Sequence, residues 1–439
     1  MEVLLIAPTA IDYHGAPIKQ RRLHLPALTL PQLGAATPVG VNVRLLYETV
    51  EEIPYDDPWD LVGLTGMGSG IVRAWQIADR FRTRGVPVVI GGIAASLGDP
   101  ELTLAHADAL VVGEADEIWP DVVRDAAARR LRRIYRPDRQ PPLDQLPTPR
   151  YDLMNRSRIG LWRPVQATRG CRFTCTFCST TAFFAHTYRK RPVGDVVRDV
   201  RAAKKHGSRH IAFVDDNIGI EAEYFRELCR ALIAEKITWM SQCGLHITDR
   251  PDLVKLASRS GCRMLSFGIE STSKDNLTDV DKEWNEPGRY RTAFSLLRSH
   301  GIDVSTEMMI GLDYDDWSVF DRTFRFIQDN HISVPRVHIV TPVPGTPLFA
   351  RMQREQRLVH TDFGRYSGGQ AVFQPRWCSP AELQREYWRL YERLFTWKAV
   401  LTRILRNRAS LDIYMRGVVW AVNLHYRSHV HHRICPGIV

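Results

Sequence analysis

Three cysteines in one short stretch are the residues whose types and spacing most clearly suggest chemistry. The stretch "RGCRFTCTFCST" contains Cys171, Cys175 and Cys178, whereas the other cysteines of the 439-residue chain are isolated from one another. Three is an odd number and the cytosol is reducing, so disulfides do not explain the spacing. Zinc usually takes a fourth protein ligand, and no CxxC or HxxxH pair adjoins the stretch. Three thiolates suit a cubane iron–sulfur cluster whose fourth iron stays open for a substrate or cofactor.

The spacing Cys-x3-Cys-x2-Cys after a predicted strand resembles the signature of the radical S-adenosylmethionine (SAM) superfamily. The resemblance implies that Cys171, Cys175 and Cys178 hold a 4Fe-4S cluster whose open iron is chelated by the amino and carboxylate groups of SAM. It implies that one electron cleaves SAM to methionine and a 5'-deoxyadenosyl radical, which abstracts hydrogen from the substrate. Phe177 would pack at the adenine. The alternative is three cysteines that are merely buried together.

Further motifs that resemble those of the superfamily lie at the C-terminal ends of predicted strands, which is where parallel barrels carry their active sites. "FVDDN" implies that Asp215 and Asp216 contact the SAM amino group, and the alternative is an N-cap for the next helix. "SFGIES" implies that Glu270 reaches SAM, since a buried acid needs a partner. These three acids are the catalytic candidates. "EMMIGL" implies that Ile310 and Gly311 lie along the adenine, or else form a plain glycine turn. "TPVPGTPLF" is similar to a Pro-Gly-Thr loop of relatives, or is only a turn.

The elements that must position these residues form two series of alternating strands and helices. The second series repeats a strand–helix unit about six times, which predicts a partial (β/α)6 barrel of the TIM type. Its predicted strands are 164–168, 210–215, 238–243, 264–270, 304–311 and 337–341. Its predicted helices are 193–206, 224–235, 251–261, 289–301 and 318–331.

The first series predicts an α/β, doubly wound, Rossmann-like sheet. Its strands are predicted at 3–7, 41–47, 61–66, 86–90 and 109–112, and its helices at 71–83 and 119–132. The five prolines of "RPDRQPPLDQLPTPRY" suppress helix and sheet and mark a linker. We therefore predict a doubly wound domain at 1–135, a linker at 136–160, a barrel at 161–349 and a helical C-terminal region at 350–439.

A doubly wound domain before the cysteine motif resembles the cobalamin-binding domain of radical SAM proteins. The resemblance is carried by "LPQLGAATP", "DLVGLTGM", "VPVVIGG" and "ADALVVGEADEIWPDVV". A cofactor would lie near the strand ends at Thr65, Gly66, Gly91 and Gly92. Two departures leave cobalamin open. "DYHGAP" has proline where the cobalt-ligating motif of other cobalamin proteins has glycine, and Ile-Ala follows the "IGG" turn where relatives commonly have Pro-His. The alternative is a scaffold without cobalamin.

The composition indicates a globular protein, with 44% hydrophobic and 25% charged residues. The net charge is +10, and the arginine residues are scattered over several segments without a zinc-finger, RNP or helix-turn-helix signature, so we do not expect a nucleic-acid partner. The N-terminus lacks a basic signal-peptide region, and no apolar run is long enough to span a bilayer. We therefore expect a cytoplasmic protein without a membrane partner.

The resemblance implies a radical SAM enzyme that acts on a small molecule, such as a secondary metabolite, and takes electrons from a flavodoxin- or ferredoxin-type donor or from a dedicated reductase. We expect cobalamin-dependent C-methylation. One alternative is cobalamin-independent dehydration or rearrangement of a sugar such as an aminoglycoside precursor. A second alternative is tRNA modification, which would use the positive charge.

Two further groups near the C-terminus receive structural interpretations. The spacing of His429, His431 and His432 would suit metal chelation, but we interpret these residues as part of a frayed basic tail. A second group lies at helical spacing, and we interpret its members as core residues or as a lid over the barrel: Trp388, Tyr391, Leu394 and Trp397.

Overall fold

The computed structural model describes residues 1–407 and 412–437, which fall into two compact units. The first unit comprises Met1–Gly170 and Ser179–Val214, and the second comprises Cys171–Cys178 and the chain from Asp215 onward. The cysteine stretch therefore belongs to the second unit, although its sequence neighbours on both sides belong to the first.

The first unit is built from ten labelled strands and seven labelled helices within its described residues. The strands are β1 (Glu2–Ala7), β2 (Asn42–Tyr47), β3 (Leu61–Thr65), β4 (Val88–Gly91), β5 (Ala109–Val111), β6 (Ile134–Tyr135), β7 (Trp162–Val165), β8 (Thr168–Gly170), β9 (Tyr188–Lys190) and β10 (His210–Phe213). The helices are α1 (Thr29–Ala36), α2 (Gly70–Arg82), α3 (Ile93–Leu97), α4 (Pro100–Leu104), α5 (Trp119–Ala127), α6 (Ser179–Phe183) and α7 (Val193–Lys205).

A six-stranded parallel sheet dominates the first unit, in the order β2-β1-β3-β4-β5-β6. Its strands are apolar runs because both faces are covered, and Val3 and Leu4 on β1 are both fully buried. Helix α2 buries Ile77 and Phe81 at helical spacing. The order of the sheet reverses at β1, so the switch point lies between β1 and β3.

The other strands of the first unit form two pairs. Strand β7 pairs in parallel with β10, and β8 pairs antiparallel with β9. The predicted strand 164–168 is therefore wrong at its C-terminal end, because the ladder stops at Val165 and Thr168 enters the antiparallel pair. Helix α5 also ends before the predicted residue 132, since Arg129 has a φ of 52° and breaks the helical backbone.

The second unit carries the remaining strands and helices. The strands are β11 (Thr238–Gln242), β12 (Cys262–Glu270), β13 (Asp303–Ile310) and β14 (Val334–Ile339). The helices are α8 (Ala222–Ile233), α9 (Pro251–Arg259), α10 (Lys274–Asp279), α11 (Tyr290–Ser299), α12 (Val319–Asp329), α13 (Pro347–Arg354), α14 (Pro380–Leu394), α15 (Trp397–Arg406) and α16 (Ile413–His431).

Strands β11 to β14 pair in parallel and in sequence order. On β13 and β14 the fully buried residues alternate with partly exposed ones, as in Met308 beside Glu307 and Val337 beside Arg336. One face of the sheet is thus packed, while the other lines an accessible interior. Strand β14 starts at Val334, earlier than predicted. Its backbone at Val337 is paired by Tyr391, whose hydroxyl accepts from the N–H at 2.8 Å and lies 2.7 Å from the carbonyl oxygen.

The C-terminal helices α14 to α16 pack partly as predicted. Trp388, Tyr391 and Leu394 are buried core residues of α14, whereas Trp397 is exposed and does not belong to the core. The predicted frayed tail is wrong, because α16 continues to His431 and buries His429. Burial and, to a smaller extent, the neighbouring side chains of His425 and His432 lower the pKa of His429 to about 4.

Candidate active site

The cysteine stretch is held against the rest of the second unit by backbone hydrogen bonds. The Thr176 N–H donates to the Val280 carbonyl at 3.2 Å, and the Leu348 N–H donates to the Thr176 carbonyl at 3.0 Å. Within the stretch, the Cys178 N–H donates to the Cys175 carbonyl at 3.1 Å. Leu348 lies in the first turn of α13, so the "TPVPGTPLF" segment anchors the cysteines as well as turning the chain.

The stretch is partly closed to water, because Cys175 is buried and Cys171 and Cys178 are partly exposed. Burial is the main reason that the pKa of Cys171 is raised to about 11 and that of Cys175 to about 12, and the charge of a neighbouring cysteine acts in the same direction. Among residues 1–407 and 412–437, no group of three or more His, Cys, Asp or Glu side chains could hold a metal ion. A cubane cluster differs from a single metal ion, because each thiolate binds its own iron atom. Three partly buried thiols therefore fit a cubane cluster.

A buried ion pair lies beside the cysteines. The Lys282 Nζ lies 2.7 Å from the Glu270 Oε1, and both side chains are buried. Burial lowers the pKa of Lys282, but the Glu270 carboxylate and the nearby Cys175 outweigh this effect and raise it. The ammonium also lies 5.7 Å from the centre of the Phe177 ring. No local sequence pattern singles out Lys282, which lies twelve residues beyond its partner.

The backbone around the ion pair is unusual. Glu270 has a φ of 59° at the end of β12, where the pairing with β13 shifts register. A left-handed backbone at a residue other than glycine costs about 1–3 kcal/mol and is often found at functional sites. Gly268 leaves room for the pair, since a Cβ there would lie 2.7 Å from the Lys282 Nζ and would also collide with the Glu270 carboxylate. The local conformation is therefore shaped around Glu270 and Lys282.

Aromatic side chains accompany the cysteine stretch. The Phe173 ring stacks on Trp284 with 4.2 Å between ring centres, and His246 lies against the same pair. The His246 Nε2 is 3.0 Å from the Gly219 carbonyl oxygen, and burial lowers the pKa of this histidine. These rings reduce the access of water to one side of the stretch.

The acidic pair after β10 lies in the same unit as the cysteines. Asp215 is buried, and the charge of Asp216 is one of the smaller effects that raise the pKa of Cys171. The N-cap alternative is wrong, because α8 begins at Ala222 and its N-cap residue is Glu221. A SAM contact by either aspartate stays a prediction.

The glycine after β13 has a packing role. Gly311 has a φ of 98°, and a Cβ there would lie 2.8 Å from a methyl group of Leu383 on α14. Its N–H donates to the Asp315 carboxylate at 2.9 Å, and Ile310 is fully buried. Packing and turn geometry therefore explain the glycine, and the contact of Ile310 and Gly311 with adenine stays a prediction.

Ionisable side chains also line the interior of the second unit. The register pairs Glu307 with Arg336, which form an ion pair, and the His338 Nε2 lies 3.1 Å from the other Glu307 oxygen. The His338 Nδ1 lies 3.4 Å from the Cys435 sulfur. Burial lowers the pKa of His338, but the effects of Cys435 and Glu307 are larger together and raise this pKa to about 10. Sequence reasoning missed this set, because residues on two strands and a distant segment share no local motif.

In the first unit, the predicted cofactor residues meet at the ends of β3 and β4. Thr65 pairs with Gly91, and the Gly66 N–H donates to the Gly91 carbonyl at 2.7 Å. Gly92 has a φ of 97°, and a Cβ there would lie 2.7 Å from the Gly66 carbonyl oxygen. The four residues are thus neighbours at one edge of the sheet, next to the switch point.

Comparison with known proteins agrees with the site. Residues 165–327 match the radical SAM superfamily, and this match includes the three cysteines, the aspartate pair and the ion pair. This match gives the chain a radical SAM domain. The cofactors of its superfamily are a 4Fe-4S cluster and SAM. Residues 346–421 match a domain of unknown function, DUF4070.

Methyltransferases are among the proteins similar to this radical SAM enzyme. It is 28% identical over 364 residues to bacteriochlorophyllide d C-12(1)-methyltransferase of Chlorobaculum tepidum, covering 81% of this chain and 79% of the relative. It is also 28% identical over 400 residues to the bacteriochlorophyllide d C-8(2)-methyltransferase of the same organism, covering 88% of each chain.

The predicted fold class is confirmed by a solved structure, the radical SAM methyltransferase TsrM from Kitasatospora setae with cobalamin and a 4Fe-4S cluster bound. The two folds superpose with a TM-score of 0.65 at 17% identity, over 88% of this enzyme and 81% of TsrM. This radical SAM enzyme therefore combines a doubly wound domain, a radical SAM barrel and a helical C-terminal region.

Proposed function

We propose that this radical SAM enzyme is a cobalamin-dependent C-methyltransferase of a small-molecule substrate. The observation that carries the proposal is the thiol trio held beside the buried Glu270–Lys282 pair. Methylation is supported by the similarity to the two bacteriochlorophyllide methyltransferases, and cobalamin by the similarity to TsrM, which has cobalamin bound. The division of the chain at residues 135, 160 and 349 is part of the proposal.

Cys171, Cys175 and Cys178 would hold the cluster, which supplies the electron for SAM cleavage. The chain's own contribution is electrostatic and steric. Lys282 places a fixed positive charge near the three thiolates, where it offsets their negative charge in a site that is partly closed to water. Its bond to Glu270 fixes one carboxylate oxygen, so the other oxygen points to a defined place at the end of β12. Glu270 and the aspartates at 215 and 216 would orient SAM.

The accessible interior of the second unit would receive the substrate. Glu307, Arg336 and His338 present charged groups there, and Met309 adds an apolar side chain on the same face. Charged groups fixed by one another can orient a polar substituent of the substrate without reorganising. The substrate would thus be held by the barrel interior, and its reacting carbon would face the strand ends that carry Glu270.

The test is an anaerobic assay of reconstituted enzyme with SAM and a reductant such as reduced flavodoxin, with and without added cobalamin. Mass spectrometry would score 5'-deoxyadenosine and S-adenosylhomocysteine. We expect both products, with S-adenosylhomocysteine dependent on cobalamin. The control is the Cys171→Ala, Cys175→Ala and Cys178→Ala triple variant, which should lose the visible absorbance of the cluster and all SAM cleavage. SAM cleavage by the triple variant would contradict the proposal.

A second candidate is a cobalamin-independent radical dehydration or rearrangement. It is favoured by the turn after β4, where Ile93 starts α3 directly and the Ala94 N–H bonds to the Gly66 carbonyl at 3.1 Å. Formation of 5'-deoxyadenosine alone, at a rate indifferent to cobalamin, would support this candidate and refute methylation.

A further inference from the structure

The two C-terminal helices α15 and α16 expose large apolar side chains. On α15, Trp397 is 51% exposed, and Leu401 and Leu405 follow at intervals of four residues on the same exposed face. On α16, Ile413 is 89% exposed and Leu424 is also exposed. A folded domain usually scatters such residues singly, so this concentration on two adjacent helices indicates a binding surface.

The two helices pack side by side in opposite directions, which brings their exposed faces together. Near the start of α15, the guanidinium carbon of Arg427 lies 4.8 Å from the centre of the Trp397 ring. Farther along α15, the Arg403 Nη2 donates to the Asn423 Oδ1 at 2.9 Å. The apolar side chains therefore belong to one surface, which we call the α15–α16 face and define by Trp397, Leu401, Leu405, Ile413 and Leu424.

The charge around the α15–α16 face is strongly positive. From residue 395 to the end of the sequence there are seven lysine and arginine residues and one acidic residue, Asp412. Lys398, Arg406 and Arg416 are exposed on the same two helices. Asp412 is engaged as the N-cap of α16, where it accepts the Met415 N–H at 2.8 Å. Most of the net charge of +10 thus lies in about a tenth of the chain.

We infer that the α15–α16 face docks on an anionic membrane surface. Tryptophan and leucine on one face with lysine and arginine around them are the combination by which interfacial helices bind such a surface. No helix within residues 1–407 and 412–437 is both long and apolar enough to cross a membrane, so the face would lie on the bilayer. This inference departs from the sequence-based expectation that no membrane is a partner.

Two other occupants fit the face less well. A second copy of the chain would bring two strongly positive surfaces together, which is electrostatically unfavourable. A nucleic acid would pair with the basic residues, but it would leave Leu401, Leu405 and Ile413 exposed to water, because aliphatic side chains have no stacking partner in bases or phosphates. An anionic bilayer satisfies both the charge and the apolar side chains.

The test is co-sedimentation of the full-length protein with vesicles of phosphatidylcholine containing phosphatidylglycerol, compared with vesicles of phosphatidylcholine alone. We expect binding to the anionic vesicles, and a loss of at least tenfold in partitioning at high salt. The Trp397→Ser, Leu401→Gln and Leu405→Gln triple variant should partition at least tenfold less. Because all three side chains are exposed, circular dichroism and thermal unfolding should match the wild type.

A matched control replaces exposed apolar residues of the first unit, with the substitutions Leu25→Gln, Val39→Gln and Leu161→Gln. This control variant should bind vesicles like the wild type. The inference is overturned if the wild type does not bind the anionic vesicles, or if the two triple variants bind them equally. Two other results would also overturn the inference. In each, the α15–α16 triple variant still binds vesicles, but it loses either a dimer seen by analytical ultracentrifugation or the protection of tRNA. None of these outcomes depends on SAM cleavage, so they leave the proposed methylation to its own assay.

Discussion

Replacement of Lys282 by methionine tests the ion pair beside the cysteines. The Lys282 Nζ lies 2.7 Å from the Glu270 Oε1, and each side chain is 8% exposed. At an effective dielectric constant of about 20, the attraction across such a distance is about 6 kcal/mol. Part of this is offset by desolvation, and loss of one partner from a buried pair typically costs about 3–5 kcal/mol, because the other charge is left alone. We expect Lys282→Met to lower the free energy of unfolding by that amount.

The assay is equilibrium unfolding in urea of the cluster-free protein under reducing, anaerobic conditions. Glu270→Gln should have a similar effect, and the double variant should lose much less than the sum of the two, since it leaves no unpaired charge. The control is Arg133→Met, which breaks an exposed ion pair with Glu101 of similar length, 3.0 Å. We expect that control to remain close to the wild type. If Lys282→Met also remained there, the ion pair would not stabilise the fold and the reasoning would be refuted.

Three further substitutions probe other parts of the second unit, each by urea unfolding. Gly268→Ala forces a methyl group into the ion pair and should cost about 1–3 kcal/mol, whereas Gly288→Ala, with no atom near its Cβ position, should cost much less. Burial raises the pKa of Asp315 from 3.8 to about 6, so the folded state binds its proton more tightly than the unfolded state. The contribution of Asp315 to stability should therefore fall as the pH rises from about 4 to about 6, so the free energy of unfolding of Asp315→Asn should rise relative to that of the wild type across this range. Tyr391→Phe leaves the Val337 N–H of β14 without its partner and should lower the free energy of unfolding by about 1–3 kcal/mol. Tyr387→Phe should lower it less, because the Val337 carbonyl still accepts a hydrogen bond from the Tyr391 hydroxyl. Equal losses of stability in the two variants would contradict this explanation.

Local patterns in the sequence were sufficient to predict the strand–helix series. Strands that are buried on both faces are short runs of Val, Ile and Leu, and β1, β3 and β4 lie where such runs occur. Element ends were less accurate, since they depend on contacts that no local pattern records. Strand β7 ends at Val165 because the next residues turn toward the antiparallel partner at Tyr188, which is distant in sequence.

The candidate site divides in the same way between local and long-range information. Cys171, Cys175 and Cys178 could be singled out because their close spacing forms a local motif that a single sequence displays. Lys282 could not, because a single lysine has no pattern and its burial depends on packing against Glu270 and the cysteine stretch. The same reasoning applies to Glu307, which meets its partners only through the register of β13 and β14.

The sequence by itself indicated the family and the alternation of strands and helices, because these depend on spacing and periodicity along the chain, and it singled out the three cysteines that we propose as cluster ligands. The tertiary structure decided which charges pair and which apolar side chains stay in water. Trp397 continues the spacing of the core residues Trp388 and Tyr391 along the sequence, yet it is exposed, because α14 ends at Leu394 and Trp397 begins α15. Periodicity identifies a face only as far as one helix continues, and the tertiary structure decides which faces are covered.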